Sequence, residues 1–407
     1  MFGKIEIPGK IRDVIDILGE NGYKGYIVGG CVRDMLMDKI PHDFDITTDA
    51  FPEETVSCFA DHRVILTGLK HGTVTVVHEG ENIEITTFRT DGRYLDNRHP
   101  ENVTFVRNIE EDLSRRDFTV NAMAYNPSVG LVDLFEGQKD IEKKTIRCVG
   151  NADTRFNEDG LRILRAMRFA SVLGFEVERS TAESVISNRE LLKNISAERI
   201  YSELTKLILG NKAIDTLLEF YPVLETVLGK VPREGIELLD LLPPDHTLRY
   251  AALLCDRTPE KSASTMRSLK TDNETCRAVK LIVSSVGLEL PKSSSDRFNT
   301  ECAYLLSRYG KSDLERIITF KRALAHPNEM EMAELDRLLE KVKEISDSGA
   351  CVSIKQLSVD GGMLASVGVP KTSEMGRVLQ ALLGAVIEGE IPNERDPLLE
   401  MAKKLIK

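Results

Sequence analysis

Near Thr145 the hydrophobic pattern of this chain changes period, and nothing else in the sequence constrains the fold as strongly. Before that point, apolar residues come in short runs bounded by turn residues: "GYIVGG", "HDFDITT", "RVILT", "GTVTVVH" and "NIEITTF". Alternation at period two marks strands, and the last two runs predict a hairpin turning at Glu79-Gly80. Helical pieces separate the earlier strands, beginning with residues 11–18, which stop at Gly22. This half is expected to be an α/β sheet domain. The polar, turn-rich stretch "RTDGRYLDNRHPENVTF" has no apolar period and is expected to be a mobile loop. After Thr145 the strand signals nearly vanish. "EDGLRILRAMRFASVLGF" and "ISAERIYSELTKLILG" have helical spacing, with Ser196 suited to cap the second helix and Gly210 to stop it. Helical spacing recurs in "TLRYAALLCD", "CRAVKLIVSSV", "MAELDRLLEKVKEI" and "MGRVLQALLGAVIEG". A chain of 407 residues is too long for one core, so several domains are expected.

Composition narrows the class. Hydrophobic content of 42% and charged content of 29% fit a globular protein. No apolar run approaches a membrane span, and the N-terminus lacks a signal-peptide pattern, so a cytoplasmic protein is expected. The seven cysteines are scattered, which suggests reduced thiols. No CxxC pair is present, which argues against a zinc site. A net charge of −11 argues against general nucleic-acid binding but leaves room for a local basic groove.

The chemistry concentrates in "YIVGGCVRDMLMDKIPHDFDI". Gly29-Gly30 after a strand lets the backbone approach a ligand closely, and the next helix start favours an anion. An ordinary tight turn is the plainer explanation of the pair taken alone. Arg33 sits just inside the following helix, where a cation is unfavourable unless an anion lies nearby. Asp43 and Asp45 are two apart, so in a strand both carboxylates share one face while Phe44 and Ile46 point to the core. Two such charges repel unless a cation sits between them, and Mg²⁺ takes one or two carboxylates plus substrate phosphates. A solvated polar face is the plainer alternative. In "NIEITTF", Glu84 alternates with Ile83 and Ile85 and joins the aspartates if the strands are neighbours. In "EEDLSRRDFTVNAMAYN", Arg115, Arg116 and Asp117 precede an apolar stretch; a charged helix end explains them, unless the two arginines lie near a metal cluster, where they would neutralise a triphosphate.

Further on, residues 154–170 read as one helix. Arg162, Arg165 and Arg168 line one stripe, and Ile163, Ala166, Met167 and Ala170 another. A Glu158–Arg162 pair would account for the first arginine without any ligand. Asp159 and Arg162 together present an acceptor beside a donor. Cytosine and adenine present the complementary amino group and ring nitrogen, whereas guanine and uracil would leave both groups unpaired.

Together, "VGGCVRD", "HDFDI", "IEITTFR", "DLSRRDFTVNAMAY" and "EDGLRILRAMRFA" resemble the bacterial-type (class II) CCA-adding enzymes, tRNA nucleotidyltransferases that share their core with bacterial poly(A) polymerases. The resemblance covers roughly residues 20–210 and is specific as an ensemble; the tail resembles the family more weakly. It implies an α+β chain: a polymerase β-like nucleotidyltransferase head at 1–146, then an all-α neck (147–215), body (216–320) and tail (321–407). It implies catalysis by Asp43, Asp45 and Glu84, with two Mg²⁺ held by Asp43 and Asp45. One metal would activate the tRNA 3′-hydroxyl, and the other would stabilise the departing pyrophosphate. It places Gly29, Gly30, Arg33 and Arg116 at the incoming nucleotide. Asp159 and Arg162 become the reader of CTP and ATP, with Arg165 and Arg168 nearby. The segment "DGRYLDNRHPEN" matches a flexible loop needed for the final A. The acceptor arm of tRNA is the implied partner, with no protein partner and no membrane. Cys255-Asp256 stands where relatives with a phosphohydrolase domain carry His-Asp, so that activity is not expected. A-only addition, poly(A) synthesis, or a non-catalytic tRNA-binding role are the alternatives.

Overall fold

The computed structural model describes residues 5–92 and 103–406. It forms two compact units, Met1–Val231 and Pro232–Lys407.

In the first unit, α1 (Gly9–Glu20) buries Ile11, Val14, Ile15 and Leu18 at helical spacing. Gly22, at φ 86°, turns the chain into β1 (Gly25–Val28), whose four residues are all buried. Then come α2 (Gly30–Leu36), β2 (Ile46–Thr48), α3 (Pro52–Cys58), β3 (Arg63–Ile65), β4 (Thr73–His78) and β5 (Glu81–Thr87). Glu79 and Gly80 both have positive φ, the conformation a tight β4–β5 hairpin demands, so the expected turn is present. A two-stranded ribbon, β6 (Arg89–Asp91) against β7 (Val103–Phe105), leads to α4 (Ile109–Ser114), β8 (Met123–Asn126), β9 (Gly130–Asp133) and α5 (Gly137–Glu142). The segment expected to be a loop differs at both ends, because Arg89–Asp91 and Val103–Phe105 are these paired strands; residues 93–102 of it lie outside the described residues.

The seven-stranded sheet runs β3-β4-β5-β2-β1-β8-β9. All its neighbours are antiparallel except β2 and β5, which are parallel near its middle. Tyr26, Val28, Phe88, Leu113 and Ala124 pack together in the core beside it.

The change of period at Thr145 is visible as a change of architecture. β10 (Thr145–Ile146) pairs only with the two-residue β11 (Glu176–Val177). Around them stand α6 (Ala152–Glu158), α7 (Leu161–Leu173), α8 (Arg179–Ser187), α9 (Ala197–Ile208), α10 (Ala213–Glu219) and α11 (Tyr221–Leu228). Two details differ from expectation. Ser196 occupies the N-cap of α9, but its side chain makes no capping bond. Gly210 does not end α9 by adopting positive φ; the helix ends at Ile208. A Cβ at Gly210 would lie 2.7 Å from the Ser171 carbonyl carbon, so glycine is required by close approach to α7.

The described residues of the second unit are helical: α12 (Arg233–Glu237), α13 (His246–Leu253), α14 (Pro259–Ser268), α15 (Asn273–Ser284), α16 (Phe298–Tyr309), α17 (Lys311–Ala325), α18 (Glu329–Asp347), α19 (Gly361–Ser366), α20 (Ser373–Ile387) and α21 (Arg395–Leu405). Asp245, Thr258, Asp272, Asn328, Asp360 and Thr372 accept backbone N–H bonds at helix starts, which explains where those helices begin. Cys302, Leu306, Leu314, Ile318, Leu335, Leu338 and Val342 form one core cluster of this unit. Leu364, Val378, Leu382 and Leu398 belong to another. Each fully buried leucine contributes about 1.5–3 kcal/mol.

Candidate active site

The parallel junction of β2 and β5 sets the site. Ile46 pairs with Ile85 and both are buried, so the residues before them, Asp45 and Glu84, fall side by side on the opposite, exposed face. Asp43 is exposed two residues earlier, and all three carboxylates line one cavity of about 810 Å³. The strand itself differs from expectation. β2 starts at Ile46, so the aspartates precede it, although Val28 N–H still donates to the Asp45 carbonyl at 3.0 Å. Phe44 is only half-buried and lines the cavity instead of the core; β1 ends at Val28, opposite Asp45, while β5 continues alongside.

Asp45 carries the clearest electrostatic signature. Burial of its surroundings raises its pKa, Arg116 opposes this, and the Asp43 charge adds to it. The Cys31 thiol, in the first turn of α2, is pushed up to about 11, by burial first and by Asp45 second. Among the described residues no Lys or Arg forms an ion pair with Asp43, Asp45 or Glu84. A cation between the aspartates would relieve their repulsion, so the donor set suits a hard, oxygen-seeking ion.

Beside this cavity the glycine turn and the arginines converge. Gly29 has φ 81° and ψ −126°, a conformation open to glycine, and a Cβ there would lie 3.1 Å from Arg116 Nη1. A Cβ on Gly30 would lie 3.6 Å from Arg33 Nη2. Arg33 is buried and donates to Asp34 Oδ1 at 2.7 and 2.9 Å and to Asn121 Oδ1 at 2.7 Å. The expected clash with the helix dipole is absent: α2 is so short that Arg33 falls in its last turn, where a cation is favourable, and Asp34 already balances its charge. Arg116 reaches Asp112, as does Arg115; the fully buried Asp112 stays below the usual carboxylate range, because the two guanidinium groups outweigh burial. A second cavity of about 220 Å³ shares Asp45 and is walled by Arg89, Arg115 and Arg116.

The second group of candidates sits on α7 and just before it. The expected single helix over residues 154–170 is broken: α6 ends at Glu158, Asp159 is extended, and α7 starts at Leu161. Asp-Gly at 159–160 is a turn signal that a helical period obscures. The apolar stripe holds, with Ile163, Ala166, Met167 and Ala170 all buried.

Each polar member has a partner. Asp159 accepts from Arg199 Nη2 at 2.7 Å and Nη1 at 3.4 Å, and from Leu161 N–H at 3.0 Å. Arg162 pairs with Glu158 at 2.6 Å, as helical spacing suggests, and donates to the Arg155 and Arg115 carbonyls. Arg165 Nε donates to Asp117 Oδ2 at 2.7 Å, and Arg168 Nε lies 2.9 Å from Glu203 Oε2. Arg33, Arg165 and Arg168 also gather around the Phe169 ring, their guanidinium carbons 5.3, 5.3 and 4.0 Å from its centroid. Thus Phe169 brings an arginine of α2 together with two of α7.

Asp117 ties these pieces together, and sequence reasoning gave it no role. It is buried, accepts from Phe118 N–H and Asn121 Nδ2, and holds Arg165. Burial alone would raise its pKa, but Arg165 and Arg162 outweigh that and lower it to about 2. Asn121, Asp112, Arg199, Glu203 and Phe169 were likewise missed. Arg199 and Glu203 have partners far away in sequence, and Asn121 and Phe169 meet the distant Arg33. The short-range pairings were readable: Asp112 stands three and four residues before Arg115 and Arg116, Asn121 four after Asp117, and Phe169 four after Arg165.

A mixed sheet carrying clustered carboxylates beside a glycine turn and arginines, followed by helices, defines a nucleotidyltransferase-type head with a helical remainder. A family model described as the poly A polymerase head domain matches residues 25–147. Another, described as tRNA nucleotidyltransferase domain 2, matches 243–402, and one for the probable RNA- and SrmB-binding site of polymerase A matches 174–221. The CCA-adding enzyme of Lactobacillus delbrueckii subsp. bulgaricus is 36% identical over 404 residues, covering 97% of each chain. That of Oceanobacillus iheyensis is 50% identical over 213 residues, 52% of this chain and 53% of the relative. The crystal structure of the Bacillus stearothermophilus CCA-adding enzyme in complex with CTP superposes with a TM-score of 0.81 at 30% identity, covering 97% of this chain and 96% of that one. The Thermotoga maritima CCA-adding enzyme complexed with tRNA shares the fold at 20% identity, with a TM-score of 0.68 and coverage of 98% and 97%. The chain belongs to the CCA-adding enzyme family.

Proposed function

We propose that this protein adds C, C and A to the 3′ end of tRNA, using CTP and ATP and releasing pyrophosphate. The observation that carries the reading is the meeting of Asp43, Asp45 and Glu84 around one cavity, beside Gly29, Gly30, Arg33 and Arg116. In the reaction, the terminal 3′-oxygen of tRNA forms a bond to the α-phosphorus of the nucleotide, and the bond to pyrophosphate breaks. Asp43 and Asp45 are the proposed ligands of divalent metal, taken as Mg²⁺, which when bound offsets phosphate charge and acidifies the attacking hydroxyl. Glu84 completes the carboxylate set alongside Asp45. The glycine turn leaves room for the triphosphate, and Arg33 and Arg116 hold its charge in place.

Asp159 and Arg162 are the proposed base readers, and their existing bonds leave capacity for this. A carboxylate offers about four acceptor positions, and three bonds occupy Asp159. Arg162 uses three N–H groups of its five among the described residues, leaving two for a ring nitrogen. Arg199 and Glu158 then orient the readers. Arg165 and Arg168, fixed by Asp117 and Glu203, support the nucleotide from the same helix.

The division of labour is proposed as chemistry in residues 1–146, base reading in 147–215, and tRNA grip in 216–320 and 321–407. A cytoplasmic location fits these substrates; no described helix is long and apolar enough to cross a membrane. The test is Asp43→Ala. Turnover should vanish while tRNA affinity, read by filter binding, stays within about threefold, the reach of a surface change. Residual turnover near that of the wild type would refute the assignment.

A further inference from the structure

On the first unit, Asp13, His78 and Glu79 each offer a ligand atom, and these atoms all lie within 4.8 Å of one another. None of the three lines the carboxylate cavity. Asp13 comes from α1, His78 ends β4, and Glu79 opens the hairpin turn in the left-handed region at φ 48°. We infer that these three side chains form a binding site for a Zn²⁺-class transition-metal ion, with His62 orienting His78 from behind.

Geometry and hydrogen bonding both point there. His78 Nε2 is buried without a hydrogen-bond partner and lies 3.5 Å from Asp13 Oδ2. Ligands about 2.0–2.1 Å from a tetrahedral ion stand about 3.3–3.4 Å apart, so the two atoms already have the separation that ligation requires. The other ring nitrogen, His78 Nδ1, is 3.2 Å from His62 Nε2. If Nδ1 donates that proton, Nε2 presents a lone pair toward the Asp13 carboxylate. Two acceptors then face each other, and a cation between them satisfies both. A ligating histidine with its second nitrogen bonded is the usual arrangement at such sites.

The local charges are compatible. Lys10, one turn before Asp13 on α1, is committed to Glu81 and not to this cluster. Two carboxylates neutralise a divalent ion, and an imidazole nitrogen favours Zn²⁺ and its neighbours over Mg²⁺, which prefers oxygen and water. Binding would staple α1 to the β4–β5 hairpin, whose second strand carries Glu84.

The experiment uses the full chain in an Asp43→Asn, Asp45→Asn background, so that the carboxylates proposed for catalysis hold no ion. Zn²⁺ is titrated by equilibrium dialysis with metal analysis, alongside thermal melting and Co²⁺ absorption. One Zn²⁺ per chain is expected, with a raised melting temperature that Mg²⁺ does not reproduce and a visible Co²⁺ spectrum. His78→Gln should abolish binding, and His62→Gln should weaken it by about 10- to 100-fold. Asp13→Asn, at an exposed position, should weaken binding without touching the sheet. Absence of Zn²⁺ uptake in the parent overturns the inference. So does uptake unchanged by both His78→Gln and Asp13→Asn, which would place the ion elsewhere, for instance on thiols.

Discussion

Replacing Asp117 by Asn changes no volume and removes one charge, which isolates what this buried carboxylate contributes. The amide oxygen can still accept from Phe118 N–H, as Asp117 Oδ1 does at 2.8 Å. The amide nitrogen then faces Arg165 Nε, now donor against donor, where the carboxylate accepts at 2.7 Å. Two routes give the magnitude. A carboxyl at about 2 when folded and about 4 when unfolded contributes about 2–3 kcal/mol at neutral pH. Breaking a buried ion pair on one side costs about 3–5 kcal/mol. Asp117→Asn should therefore cost about 2–5 kcal/mol in the transition of the first unit, measured by urea unfolding followed by circular dichroism. The pH dependence has a fixed sign. The folded pKa is depressed, so the wild-type advantage is complete above the unfolded value near 4 and disappears as pH falls toward 2. A variant within about 0.5 kcal/mol of the wild type from about pH 7 to pH 4 would refute the account of Asp117 as the anchor of Arg165.

Two further perturbations probe the positioning of α7. Gly210→Ala would drive a methyl group into Ser171, and overpacking of this kind costs about 1–3 kcal/mol, seen as a lower melting temperature. Arg199→Ala releases Asp159 from its bidentate partner; discrimination of CTP and ATP against UTP and GTP should fall by about tenfold or more, with Arg199→Lys restoring part of it. Unchanged discrimination would assign Arg199 a purely structural role.

Much of the head was legible because its signals are local. The alternation of Ile83, Glu84 and Ile85 indicated which residues face outward, and Glu79-Gly80 marked the hairpin. That Glu84 stands beside Asp45 depended on which strands neighbour, a condition that the parallel β2–β5 pairing meets. The local signals failed where two competed. Asp159-Gly160 is a break, but the strong apolar period on either side concealed it. Gly210 looked like a helix stop, but its constraint is the surface of α7, which no local pattern reveals. Long-range partners were invisible for the same reason: Asp117 meets Arg165 across 48 residues, and Asp159 meets Arg199 across 40. The Asp13–His78–Glu79 cluster likewise draws on two distant segments, and the absence of a CxxC pair said nothing about it.

Stepwise nucleotide addition tests the central claim most directly. Purified protein is offered tRNAs ending at the discriminator base, at C and at CC, with each nucleotide triphosphate separately and then with CTP and ATP together. The account predicts CTP incorporation on the first two, ATP incorporation on the CC-ended tRNA, and a stop after three additions when both are present. Addition of A alone, confined to the CC-ended tRNA, or continued A addition beyond the third residue, would contradict it.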